Sequence, residues 1–147
     1  MAVMSGWELA KMSADVAREV MGWTEVDLDS DGQCFCGVRP DQPGRGMYVP
    51  RYAEELTAAW QVLERLRQDG WLATVKMMPD GFPFRGDVDN DEKFYARVAV
   101  ELTWMPQKTV QDCRRSISLH PFAMGSTVPE VICKAALEAV RQLNRYA

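Results

Sequence analysis

The stretch from Arg39 to Tyr52 carries the residue types best suited to holding an anion. Arg39, Arg45 and Arg51 alternate with Tyr48 and Tyr52 on a loop rich in proline and glycine. A guanidinium forks two parallel N–H donors onto a phosphate, and a tyrosine ring can stack on a base. The loop leads toward a helix start, where free backbone N–H groups and the helix dipole favour negative charge. Lys108, Arg114 and Arg115 form a second basic group. Brought together, the two groups would make a small pocket for an anionic ligand. Kept apart, they are solvated loop charges, the ordinary state of a surface loop. These residues are the candidate ligand-binding set. No catalytic residue, metal ligand or cofactor is assigned.

Other constellations are weaker. Asp27, Asp29, Asp31 and Gly32 match the opening of a calcium-binding loop, where a hard cation takes several oxygens on a tight turn. The position that should supply a bidentate Glu is Val38. Asp87, Asp89 and Asp91 lack the turn glycine, and their corresponding position is Val98. Acidic turns between strands are expected at both places. Cys34 and Cys36 stand one residue apart, and Cys113, Cys133 and His120 stand alone. Structural zinc uses ligand pairs with two to four residues between them. Cys133 lies on an apolar helical stripe and reads as core. A nucleophilic pair of His120 with Cys113 or Cys34 needs a proximity that spacing does not supply. No nucleophile elbow, phosphate loop or dinucleotide fingerprint occurs; Gly44-Arg45-Gly46 is too short and lacks the following Lys-Ser/Thr.

The elements that must position these groups follow from periodicity. Ser5 and Glu8 have capping-box spacing, and Leu9, Met12, Val16 and Val20 then recur at steps of three and four, predicting a helix over Leu9–Met21. Thr24 to Pro50 reads as irregular, with a short strand over Gln33–Val38. Leu56, Ala59, Trp60, Leu63 and Leu66 predict an amphipathic helix that stops at Gly70. Trp71–Met78 reads as a strand. Phe94–Trp104 alternates apolar and polar residues, the pattern of a half-buried antiparallel strand. Arg114–His120 reads as a further strand. Thr127, Pro129 and Glu130 announce the last helix, whose stripe runs from Val131 through Ala135, Ala136 and Ala139 to Leu143. Trp60 and Trp104 fall on apolar faces. Trp7 and Trp71 lie near element ends, open to a partner. The polar face of the Phe94–Trp104 strand is a candidate contact for a homo-oligomer.

Composition sets the frame. The chain has 147 residues, 47% hydrophobic and 26% charged, which are globular values. One domain spanning residues 1–147 can bury a substantial core at this length. The formal net charge of −4 disfavours general nucleic-acid binding, which depends on neutralising phosphates. No apolar run approaches a membrane span, and no signal-peptide pattern opens the chain. Free thiols in a reducing cytosol are therefore expected. One antiparallel sheet of about four strands carrying three main helices is the simplest way to bury three amphipathic stripes: an α+β, three-layer fold.

Three segments together resemble a known family. They are VAREVMGW (Val16–Trp23), ELTAAWQVLERLRQDG (Glu55–Gly70) and VPEVICKAALEAV (Val128–Val140). In this order and spacing they resemble the phage ABA sandwich family, small bacteriophage and prophage proteins built as an α-β-α sandwich. The resemblance runs from about Leu9 to Leu143. It implies a phage origin and the cytoplasm of an infected bacterium; it carries no reaction with it. The chain departs from the family between Thr24 and Pro50, where Cys34-Phe35-Cys36 replaces a Trp-rich stretch, and in a long insert from Pro79 to Arg115.

The expected function is a non-enzymatic binding protein. It would sequester a small nucleotide-like anion or block a host defence protein. The alternatives are a nucleic-acid-binding accessory protein, or a metal-dependent phosphodiesterase or nuclease using the aspartate clusters. A double-stranded RNA-binding module would need basic residues at the start of the last helix, where Pro129 and Glu130 stand.

Overall fold

The structure is a computed structural model, which describes residues 4–79, 97–105 and 119–145. Its elements in order are α1 (Gly6–Glu19), β1 (Thr24–Leu28), β2 (Phe35–Val38), β3 (Gly46–Tyr48), α2 (Leu56–Gln68), β4 (Trp71–Met77), β5 (Val98–Trp104), β6 (Phe122–Gly125) and α3 (Val128–Arg145). The fold is α+β, with three helices and antiparallel sheets, as the sequence predicts. Among the described residues the strands number six rather than about four. They form two three-stranded sheets, ordered β1-β2-β3 and β4-β5-β6.

The helix α3 holds the molecule together. It packs against α1, α2, β5 and β6. Its buried face is Val131, Ile132, Cys133, Ala135, Ala136 and Ala139, so backbones can approach closely. Across from it, α2 buries Ala58, Ala59, Val62 and Leu66. This differs from the predicted stripe: Leu56 is 57% exposed and Trp60 59% exposed. Two apolar stripes overlap on this helix. The one richer in small side chains faces inward, because only it fits against the alanines of α3. The ends of α1 and α3 are joined by Arg141, whose guanidinium forks onto Glu19 at 2.9 and 2.8 Å.

The sheet β4-β5-β6 is in continuous register from Trp71↔Trp104 to Met77↔Val98 and from Val98↔Gly125 to Glu101↔Phe122. Val98, Val100 and Leu102 are buried toward the helices, as alternation predicts. Residues 94–96 of the predicted strand lie outside the described residues. Trp71, expected near the surface, is buried and packs on Trp104 with ring centroids 4.9 Å apart. Of the predicted Arg114–His120 strand, residues 114–118 lie outside the described residues. The strand that does pair with β5 starts at Phe122. Upstream of it the Leu119 and Pro121 carbonyls accept from Trp104 and Leu102, extending the ladder. Pro121 has no N–H to return, which interrupts the strand there.

The region expected to be irregular, Thr24–Pro50, is a meander instead. β2 pairs with both β1 and β3. The register slips between Thr24 and Asp27, and Glu25 takes φ +54°, a left-handed conformation that accommodates the slip. The acidic β1–β2 turn is built by Asp29. Its carboxylate accepts from the Gln33 N–H at 3.0 Å, and its carbonyl from Gly32 N–H at 3.0 Å.

Two glycines are required by close approach. A Cβ on Gly125 would sit 2.5 Å from Glu130 Oε2 and 2.8 Å from Val131 Cγ2. That Glu130 oxygen accepts from the Ser126 N–H at 3.1 Å, the helix-start role its position predicts, moved one residue upstream of Thr127. A Cβ on Gly37 would sit 2.8 Å from Val26 Cγ2 and 3.1 Å from the Thr24 carbonyl. Gly125→Ala and Gly37→Ala should each destabilise by about 1–3 kcal/mol through overpacking, measured by urea denaturation. A change below about 0.5 kcal/mol at either site would refute the packing argument there.

Cys133 supplies a pH prediction. Burial pushes its thiol up from an ordinary 9.0 to about 12. Above pH 9 the unfolded chain loses this proton while the folded chain keeps it, so stability falls as pH rises from 9 toward 12. The slope from this group is at most about 1.4 kcal/mol per pH unit. Melting temperatures followed from pH 8 upward should therefore drop more steeply for the native chain than for Cys133→Ala. Parallel curves would contradict the assignment.

Candidate functional site

One face of α1 carries Gly6, Ala10 and Ser13 at helical spacing. Small side chains leave room there, and the chain from Tyr48 to Glu54 passes opposite. Between them lies a cleft of about 500 Å³, closed at one side by Gln33, Cys34 and Phe35 at the start of β2. This volume is within the range of small-molecule sites. Its aromatic surface comes from Phe35 and Tyr48. Phe35 is itself stacked on Trp7, with ring centroids 5.6 Å apart and planes at 29°. The first turn of α1 borders the cleft at Gly6. Ser5 caps that helix by accepting from the Glu8 N–H at 3.1 Å.

A buried hydrogen bond ties the two walls of the cleft together. Ser13 is buried, and its hydroxyl accepts from the Ala53 N–H at 3.0 Å. This fixes the Pro50–Glu54 segment against α1 and so fixes the position of Arg51. Within the segment the Glu54 N–H donates to the Arg51 carbonyl at 3.0 Å.

The predicted ligand residues separate into distinct groups. Arg51 and Tyr48 line the cleft, and both side chains are exposed. Tyr52 points the other way and is 2% exposed, a core residue rather than a stacking surface. Burial pushes its phenol up, against a hydrogen bond with Trp23 and the charge of Arg39 that pull it down. Arg39 is engaged with Asp41 at 2.9 Å. Arg45 is exposed between Gly44 and Gly46 and does not line the cleft. Lys108, Arg114 and Arg115 lie outside the described residues. The spacing of Arg51 and Tyr52 alone could not show which one faces out. Gln33, Phe35 and Glu54 were not anticipated as site residues. The signal that would have found the cleft is the small-residue face of α1.

The remaining groups have other surroundings. Asp29 is committed to its turn, and Asp87, Asp89 and Asp91 lie outside the described residues. Among the described residues, no three His, Cys, Asp or Glu side chains come together as a metal site. His120 borders a second depression of about 440 Å³ against α3, with its Nδ1 3.5 Å from Thr103 Oγ1. Cys34 is exposed at the first cleft and Cys36 half-buried beside it, while Cys133 is in the core. Burial, with the nearby Asp29 and Cys34, raises the Cys36 thiol. No helix among the described residues is long and apolar enough to cross a membrane.

Three helices and two small antiparallel sheets among the described residues, with a cleft at the first helix, define an α+β domain. The Phage ABA sandwich domain matches residues 14–102, more than half of the chain, and the chain belongs to that family. Two of the three resembling segments, Val16–Trp23 and Glu55–Gly70, fall inside the match, and Val128–Val140 lies beyond it. The chain is also similar to a solved phage protein from Bacillus cereus ATCC 14579. The two share 16% identity at a TM-score of 0.54, covering 95% of this chain and 99% of that one. At that identity the likeness shows the fold alone. No curated protein matches the chain.

The Ser13 anchor is testable. Ser13→Ala leaves the Ala53 N–H buried without its acceptor and should cost about 1–3 kcal/mol in chemical denaturation. Hydrogen exchange at Ala53 should accelerate more than exchange at Leu66. Uniform acceleration at both would mean that the bond does not hold this segment locally.

Proposed function

We propose that this phage-family chain is a non-enzymatic binding protein that holds a small nucleotide-like anion in the α1 cleft. One observation carries the reading. Arg51 and Tyr48 border the same cleft, and the Arg51 side chain has no ion-pair partner among the described residues. Arg18, Arg39, Arg65, Arg67 and Arg141, by contrast, each hold a carboxylate. A guanidinium left open at a cleft wall, beside an aromatic ring and a helix start, suits a phosphate joined to a flat base. The cleft walls are a helix and an anchored segment, so little ordering is needed on binding. In an infected bacterium such a protein would act by sequestration, lowering the free level of a nucleotide used by host defence. Affinity is all that this role requires.

Isothermal titration calorimetry with nucleoside 5′-monophosphates tests the reading. Arg51→Ala should weaken binding about tenfold or more, as expected for a charge-assisted contact of 1.5–3 kcal/mol. Tyr48→Ala should weaken it by a comparable amount through lost stacking, about 1–3 kcal/mol. Both side chains are exposed, so the melting temperature should hold. Arg45→Ala, away from the cleft, should bind like the native chain. Unchanged affinity in both cleft variants, or no retained nucleotide mass in native mass spectrometry, would sink the proposal.

A further inference from the structure

The cleft holds two opposite charges that do not use each other. Arg51 and Glu54 both line it, one turn of chain apart. Neither side chain has an ion-pair or hydrogen-bond partner among the described residues. Pairs form elsewhere on this surface (Arg65 with Asp69 at 3.2 Å, Arg67 with Glu64 at 3.1 Å, Arg18 with Asp15 at 2.7 Å). What sets Arg51 and Glu54 apart from other surface charges unpaired among the described residues, such as Arg45, is that both border one cleft. A ligand that is only an anion would satisfy Arg51 and be repelled by Glu54. An ionised carboxylate can only accept hydrogen bonds. The ligand must therefore bring an anionic group to Arg51 and N–H donors to Glu54.

Resting on the nucleotide-binding reading above, we propose that the cleft takes a guanine nucleotide and that Glu54 reads the base. The N1–H and 2-amino groups of guanine point the same way, side by side. They match the two oxygens of one carboxylate, as a guanidinium does. Adenine places an acceptor, N1, where guanine places a donor, so facing Glu54 it leaves two acceptors opposed. Hypoxanthine keeps the N1–H and lacks the amine. The volume of about 500 Å³ accommodates a mononucleotide, and Phe35 and Tyr48 supply aromatic surface for the purine.

The test is a calorimetric titration of the full chain with guanosine, inosine and adenosine 5′-monophosphate. The guanine nucleotide should bind at least tenfold tighter than the adenine nucleotide, with the inosine nucleotide between them. Selectivity of this size is what one mismatched polar edge produces at a partly open site. Glu54→Gln should remove the preference or turn it toward adenine, since an amide can donate as well as accept. Arg51→Ala should weaken all three alike. Equal binding of guanine and adenine nucleotides, or a guanine preference that survives in Glu54→Gln, would overturn the assignment of Glu54 and leave the cleft as a nucleotide site. Failure of all three to bind would overturn both.

Discussion

The structure depends on how closely α3 can approach its neighbours. Ala135, Ala136 and Ala139 are fully buried, and α2, which packs on α3, buries Ala58 and Ala59. Small side chains gain less from burial individually than leucines. They compensate by bringing backbones together, which lets the larger residues Val62, Leu66, Val100, Leu102 and Ile132 interlock at interior density. The same closeness forces Gly125, because β6 passes directly over the first turn of α3. It also decides which face of α2 turns inward. Trp60 and Leu56 are left outside because nothing of their size fits between two alanine faces.

From this centre the cleft inherits its shape. The helix α1 packs on α3 through one face, with Val16 and Ala17 buried. Its small-residue face is then directed toward the Pro50–Glu54 segment. The Ser13 hydroxyl, buried between them, converts a loop into a wall. A polar group buried in that position is tolerable only because it is satisfied, and the bond it makes fixes Arg51 and Glu54 relative to the helix. The site is thus held by core packing on both sides, through Val16 and Ala17 of α1 and through Tyr52 and Ala53 of the facing segment, with the Ser13 hydrogen bond joining the two. Rigid placement of this kind favours binding by a pre-formed surface over closure around a ligand.

Long elements with strong periodicity were legible in the sequence. The three helices, β4 and the described part of β5 lie close to where pattern and caps place them, with α1 running Gly6–Glu19 where periodicity predicts Leu9–Met21, because the Ser5 cap starts it earlier. The meander β1-β2-β3 was not, for a physical reason. Its strands have five, four and three residues, and β1 is mostly exposed on both faces, so no alternation develops. β6 was hidden by Pro121 and by its closing glycine, both of which normally argue against a strand. The site was half legible. Arg and Tyr content pointed to a segment that borders the cleft through Tyr48 and Arg51, but Tyr52 went to the core and Arg39 to Asp41. Burial and ion pairing are tertiary facts, and residue type is blind to them.

The distribution of reactive groups bears on what this domain does. The thiol of Cys133 is held neutral deep in the core by desolvation, with a value of about 12, so it serves packing. Asp29 spends its carboxylate oxygen on backbone N–H groups of its own turn. At the cleft a cation and a carboxylate, each unpaired among the described residues, share one wall with aromatic surface. Groups arranged to recognise both a charge and a hydrogen-bonding edge, on walls set by packing, are suited to discriminating a ligand. Under the proposed reading, such discrimination leaves the ligand chemically unchanged and removes it from solution.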